Sequence, residues 1–242
     1  MDNIIETPES NYGQLTIAEA TLIQEKLRAQ VNLSPMEGEI KTIAGADISL
    51  DLNSEIVYAG MVVLSYPDLN PISYSLVQTT NIFPYVPGYL AFREIPALLK
   101  VYEQFPVKPD CIMFDGNGIL HKRRLGIATH FGVLTDTVTL GCAKKKLAGN
   151  YADPGETKGE YTLVTDKGDT IGFALRSKIN VKPVFISPGH RMSLRDSMDI
   201  AMKCLRKHRL PEPTRRAHEF VNKFRTGELK EGYHKLEQWS LF

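Results

Sequence analysis

Cysteine is scarce in this chain of 242 residues. Cys111, Cys142 and Cys204 are an odd number without a Cys-x-x-Cys pair, which excludes a disulfide framework and leaves no zinc-site spacing. Two of the three lie in apolar, strand-like runs and read as core thiols. Also missing are an apolar run long enough to span a bilayer, an internal repeat and a low-complexity linker. The expectation is one α/β domain over residues 1–242, with 1–12 and 225–242 peripheral, acting as a monomer without a membrane. The start, Met1 to Glu6, is acidic and lacks the basic and apolar regions of a signal peptide, so the expected compartment is the cytoplasm.

Net charge is also small, at +1, but it is unevenly spread. Between Ile119 and Leu147 six Lys or Arg face the single acid Asp136, and between Arg176 and Arg216 eleven face Asp196, Asp199 and Glu212. Such clustering creates local positive potential on a nearly neutral protein, as a phosphate-tracking groove requires; a solvated helix face is the plainer reading of the second cluster.

The stretch around which the chain is organised runs from Cys111 to His130. The apolar run Cys111-Ile112-Met113-Phe114 ends in Asp115 and opens onto Gly116-Asn117-Gly118, the way a buried strand delivers an acid to a sheet edge beside backbone that a ligand can approach. His121 and three consecutive cations, Lys122, Arg123 and Arg124, follow. Acid, imidazole, positive charge and bare backbone together suit phosphate chemistry.

Upstream, the Thr16 to Glu19 capping box and the spacing of Ile17, Ala20, Ile23, Leu27 and Val31 predict a helix over 17–31. Thr42–Ser49, Ile56–Ser65 and Ile72–Thr79 read as an antiparallel meander, the first two joined by a turn at Asp51 to Ser54. Pro84 and Pro87 stiffen an exposed loop, and Pro96 marks an early position of a helix to about Gln104, with Glu94 near its amino terminus. Downstream, a helix from Ile127 to Leu134 and a strand from Val138 to Ala143 imply a right-handed parallel crossover that brings Asp115 and Lys144 to one sheet edge. Further strands are expected at 161–165, 170–176 and 183–187. A turn is expected at Ser187-Pro188-Gly189-His190, then a helix capped by Ser193 and Asp196 reaching about Lys207, and a last helix containing His218.

Asp47, Glu94 and Asp115 come from three separate elements, and converging carboxylates need a cation. Oxygen ligands select Mg²⁺ or Mn²⁺ over zinc. Taken singly, each acid is equally a surface or turn carboxylate. His121 suits proton transfer or water positioning, Lys144 stabilisation of phosphate charge, and His218 a second titratable role.

The ordered set Gly45-Ala46-Asp47-Ile48-Ser49, Pro84-Tyr85-Val86-Pro87-Gly88 with Phe92-Arg93-Glu94, Phe114-Asp115-Gly116-Asn117-Gly118 with His121 and Arg124-Leu125-Gly126-Ile127-Ala128, Gly141-Cys142-Ala143-Lys144, Ser187-Pro188-Gly189-His190, and Arg209-Leu210-Pro211-Glu212-Pro213-Thr214-Arg215 with Ala217-His218 resembles endonuclease V. The resemblance implies a ribonuclease-H-like α/β fold: a mixed sheet, an antiparallel meander plus parallel strands, flanked by helices. It implies a Mg²⁺-dependent deoxyinosine 3′-endonuclease that hydrolyses the second phosphodiester 3′ to the lesion, leaving 3′-hydroxyl and 5′-phosphate ends. By the same resemblance Asp47, Glu94 and Asp115 match the metal-binding acids, and His121, Lys144 and His218 the supporting catalytic residues. Pro84, Tyr85, Val86 and Pro87 match a strand-separating wedge, and Gly88, Leu90, Gly116, Gly126 and Ile127 a pocket for the flipped hypoxanthine. The chain departs from the family pattern at Cys142, at Asn150 to Glu160 and after Phe224. An inosine-specific ribonuclease and a lesion binder without turnover are the alternative readings.

Overall fold

A single nine-stranded sheet organises the protein, whose computed structural model describes residues 9–50, 55–80 and 83–236. The strands are β1 (Thr42–Leu50), β2 (Ile56–Ser65), β3 (Pro71–Thr80), β4 (Cys111–Phe114), β5 (Thr139–Ala143), β6 (Tyr161–Asp166), β7 (Asp169–Leu175), β8 (Val184–His190) and β9 (Gly232–Lys235), in the spatial order β6-β7-β8-β5-β4-β1-β2-β3-β9. β4 runs parallel to β1 and to β5, and the other pairings are antiparallel. This is the mixed sheet, an antiparallel meander plus parallel strands, that the resemblance implies. The turn expected at Asp51 to Ser54 lies outside the described residues.

Among the described residues five α-helices cover the two faces: α1 (Ile17–Arg28), α2 (Ala91–Glu103), α3 (Ile127–Thr135), α4 (Leu194–Lys203) and α5 (Glu212–Arg225). Strand alternation assigns the faces. Ala44, Ala46, Ile112 and Phe114 join Phe92, Ile95, Leu98 and Phe131 of α2 and α3 in one core. Ile43, Met113, Leu140 and Cys142 join Met198 and Ala201 of α4 and Val221 and Phe224 of α5 in the other. All three cysteines are buried free thiols. No helix among the described residues is long and apolar enough to cross a membrane.

Both capping boxes form: Thr16 Oγ1 accepts from Glu19 N–H at 3.2 Å, and Ser193 Oγ from Asp196 N–H at 3.1 Å. Several boundaries differ from expectation. α1 stops at Arg28 and α4 at Lys203. α2 begins at Ala91, so Pro96 falls in its second turn: the apolar stripe of Phe92, Ile95, Leu98 and Leu99 outweighs the backbone bond that proline forfeits. The turn expected at Ser187 to His190 is instead the end of β8. Thr139 faces His190 and Leu140 faces Pro188, so Gly189 is the extra residue of a bulge. A Cβ on Gly189 would stand 2.3 Å from Thr139 Oγ1, which is why the bulge carries glycine. The segment after Phe224, outside the sequence pattern, supplies β9 along the edge of β3.

Candidate active site

Adjacent strands and one shared face bring the first two acids together. In the β1–β4 ladder Ala46 faces Phe114, and Asp115 N–H donates to Ala46 O at 3.1 Å, so Asp47 and Asp115 are the next positions on neighbouring parallel strands. Both side chains alternate with Ile43 and Met113, toward α5. Lys144, two residues past Cys142, emerges on the same face at the end of β5, and its Nζ lies 2.5 Å from Asp115 Oδ2. The parallel crossover thus brings Asp115 and Lys144 to one sheet edge, as the sequence predicts, and there they form an ion pair.

From above this face α5 supplies His218, whose Nδ1 is 2.9 Å from Asp47 Oδ2 and whose Nε2 is 3.1 Å from Asn222 Nδ2, one turn along the helix. With the amide donating to Nε2, Nδ1–H donates to Asp47. α5 can come this close because β1 carries glycine at position 45, on the same face as Asp47. A Cβ there would sit 1.8 Å from Pro213 O at the start of α5.

Ligand atoms of Asp47, Asp115 and His218 all lie within 4.8 Å of one another. Glu94 stands outside this tight group, because α2 packs on the opposite face of the sheet and its first turn reaches the carboxyl edge from the other side. It is close enough to feel both acids: burial first, then the charges of Asp47 and Asp115, push its carboxyl up to about 8. Asp115 is raised by burial and by Asp47, against the pull of Lys144. His218 is raised by its hydrogen bond to Asp47. At an effective dielectric of about 20, two carboxylates about 5 Å apart repel by on the order of 3 kcal/mol. Lys144 and His218 offset part of that, and a divalent cation fits what remains.

The glycine loop after Asp115 is sewn to β8. Gly118 N–H donates to Ser187 Oγ at 2.9 Å, Ile119 N–H to Pro188 O at 2.9 Å, and Gly126 N–H to Gly118 O at 3.0 Å. Gly116 packs so tightly on Ile127 that a Cβ would lie 2.5 Å from the Ile127 methyl. Gly116 and Ile127 thus touch beside Asp115, while Gly126 is packed on the carbonyls of Asn117 and Gly118. Asn117, within the loop, keeps a buried Oδ1 with no hydrogen-bond partner among the described residues.

The loop from Pro84 to Leu90 has an exposed tip, with Tyr85 68% exposed, held between buried Phe83 and Tyr89. Phe83 stacks on Phe92 of α2 at 5.5 Å between ring centroids. Tyr89 N–H donates to Val86 O at 3.0 Å, and with Pro87 and Gly88 (φ +86°) between them this is a type II turn. Leu90 is partly exposed at the start of α2.

His121 is placed against this loop, buried, with Nδ1 accepting from Arg123 N–H at 3.2 Å. Burial and the charge of Arg123 push it down to about 4, against a hydrogen bond to the Gly88 backbone. Its neighbours are therefore those of the loop rather than of the acids. Sequence reasoning passed over Gln24 and read Arg123 as one of three cations suited to phosphate; in the structure both donate to Gly88 O. The available signal was Gln24 itself, a polar residue on the buried face of α1 with Ala20 and Leu27.

The fold has counterparts among known proteins. The family model described as Endonuclease V matches residues 25–219. An endonuclease V of Nostoc punctiforme is 46% identical over 208 residues, covering 86% of this chain and 94% of the relative. The crystal structure of the Streptomyces avermitilis endonuclease V superposes with a TM-score of 0.83 at 37% identity, over 88% of this chain and 94% of that one. That of the Ciona intestinalis enzyme, in complex with a 24mer DNA containing an inosine followed by a ribo-adenosine, superposes at 0.76 with 30% identity, over 87% and 98%.

Proposed function

The chain belongs to the endonuclease V family of nucleases, and from that premise we propose that it cleaves DNA at deoxyinosine, hydrolysing the second phosphodiester 3′ to the lesion to leave 3′-hydroxyl and 5′-phosphate ends. The observation that carries this reading is the Asp47–Asp115–His218 group with Lys144 paired to Asp115 at the carboxyl edge of the sheet. Asp47 and Asp115, with Glu94 beside them, would hold a divalent metal. The hard oxygen donors favour Mg²⁺, and Mn²⁺ would substitute because it accepts the same donors. Bound there, the cation would neutralise charge on the phosphodiester and acidify a water.

The chain's own groups have separable tasks. Lys144 leaves its contact with Asp115 to meet phosphate charge. His218, its Nδ1–H directed by Asp47, carries a proton to or from the reacting oxygens through Nε2 once the Asn222 amide releases that nitrogen. His121 steadies the edge of the lesion site. Pro84, Tyr85, Val86 and Pro87 form the wedge that opens the strands, the exposed Tyr85 replacing lost base stacking. Gly88, Leu90, Gly116, Gly126 and Ile127 line the space for the flipped base, where bare backbone leaves no room for the exocyclic amino group that distinguishes guanine from hypoxanthine.

The test is a 5′-labelled duplex with one deoxyinosine, incubated with Mg²⁺ or chelator, using the native protein and Asp115→Ala. The expected result is a Mg²⁺-dependent nick one nucleotide beyond the 3′ phosphodiester of the lesion, lost in the variant. Cutting only of an inosine-containing RNA would replace this reading with a ribonuclease, and tight binding without any cutting would leave a lesion binder.

A further inference from the structure

Gly88 ends the exposed tip of the loop, and its carbonyl, beside which His121 is placed, is the meeting point of two further side chains from different parts of the chain. Gln24 Nε2, from α1, donates to Gly88 O at 3.0 Å, and Arg123 Nη2, from the loop after β4, donates to the same oxygen at 2.7 Å. Arg123 Nε in turn donates to Gln24 Oε1, closing a ring of three partners. The guanidinium lies over the Tyr89 ring, 4.2 Å from its centroid, and the Tyr89 hydroxyl is 2.7 Å from that of Thr21, again on α1. Gln24 is 1% exposed, an amide placed where a helix normally buries an apolar side chain, so its hydrogen bonds are what justify its burial.

We propose that Arg123 and Gln24 are positioning residues that hold the Pro84–Pro87 loop in its strand-opening conformation by donating together to the Gly88 carbonyl, against which His121 also rests. The inference rests on the deoxyinosine reading above and assigns that site two residues it otherwise lacks. Three consequences follow. The carbonyl is unavailable to a base, so it shapes the pocket sterically and does not read hydrogen bonds. The loop is ordered before DNA arrives, which removes an ordering cost from binding. Finally, a lysine cannot replace Arg123, because an ammonium supplies neither the planar fork to two acceptors nor the stacking face for Tyr89.

Steady-state nicking of duplex and single-stranded deoxyinosine substrates by Gln24→Ala, Arg123→Lys and the double variant tests this, alongside hydrogen exchange of the Tyr89 amide, which closes the turn on Val86 O. Expected are a KM for duplex raised at least tenfold with kcat within threefold, single-stranded KM within threefold, no rescue by lysine, and a double variant no worse than the worse single. Tyr89 amide exchange should quicken at least tenfold in each variant. Equal losses on both substrates, or duplex KM within twofold of native, would overturn the clamp, as would unchanged Tyr89 exchange. If the native protein cuts no deoxyinosine substrate, the proposed function fails while the exchange result still decides the clamp.

Discussion

Glu94 is pulled two ways, and the magnitudes decide the outcome. Its place in the first turn of α2 favours the charged form by roughly 0.3–1 kcal/mol, yet burial and the charges of Asp47 and Asp115 push it up to about 8. Because the folded value exceeds the unfolded one of about 4.5, the folded state binds this proton more tightly. The associated stability is full below about pH 4.5 and is lost as pH rises toward 8. In chelator, the native protein should therefore lose more melting temperature between pH 5 and 8.5 than Glu94→Gln does, and Mg²⁺ at pH 8.5 should raise the native more than the variant. Parallel melting curves for the two proteins would refute this. His130 runs the other way. It is fully buried, with Nε2 3.1 Å from the Tyr12 hydroxyl, and burial pushes it down to about 3. Its contribution is present above the unfolded value of about 6.5 and is lost as pH falls toward 3, so His130→Gln should flatten acid unfolding in that window. Asp115 was legible in sequence because a strand run followed by glycine announces an edge, whereas Asp47 lies inside β1 and Glu94 in the first turn of α2, where no such signal marks them. The roles of Gln24 and Arg123 were not legible, since their meaning lies in one carbonyl that only the folded loop presents.

Glycines rather than the charged residues set how closely the elements approach. Position 45 lies on the α5 side of β1, two residues before Asp47, and the Pro213 carbonyl occupies the space a Cβ would need. Gly45→Ala should push α5 outward, costing about 1–3 kcal/mol of stability and separating His218 from Asp47. Its signature would be lowered melting temperature together with loss of the raised His218 titration, followed by NMR. A variant that melts normally and keeps that titration would show that the helix can slide without consequence. The same reasoning shows what sequence conveys about elements. Alternation and capping boxes located most strands and both capped helix starts, because those signals are local. Ser187 to His190 misled because proline and glycine normally punctuate; here pairing with β5 across a bulge, and the Ser187 and Pro188 contacts to the glycine loop, outweigh that preference. β9 was equally out of reach, since four short residues gain their identity only from the free edge of β3.

At the scale of the whole molecule the question is how a protein of net charge +1 holds a polyanion. The carboxyl edge of the sheet answers it by segregation. Lys144, which pairs with Asp115, lines one cavity of about 640 Å³ together with Lys145 and Lys182, opposite Glu156 and Asp153, the latter paired with Arg176. Not every cation there is available: Arg176 donates to Gly155 O, Val181 O and Pro154 O, and is committed to fixing the segment from Asn150 to Glu160. Lys146 donates to Gly149 O and lies over the Tyr151 ring. Lys145 and Lys182 are exposed, and phosphate contact is the role their position leaves them. DNA affinity should thus fall steeply with salt, and Lys145→Ala and Lys182→Ala should each reduce the slope of log K against log salt by about 1, the release of roughly one counterion per phosphate. Lys100→Ala, in the last turn of α2, where Lys100 Nζ bonds Thr79 Oγ1, is the control that should leave the slope alone. If all three variants shift affinity alike, long-range charge alone governs binding. If only the two at the carboxyl edge change the slope, the DNA backbone runs from the acids along this cavity, and the uneven charge spread visible in the sequence is the trace of that path.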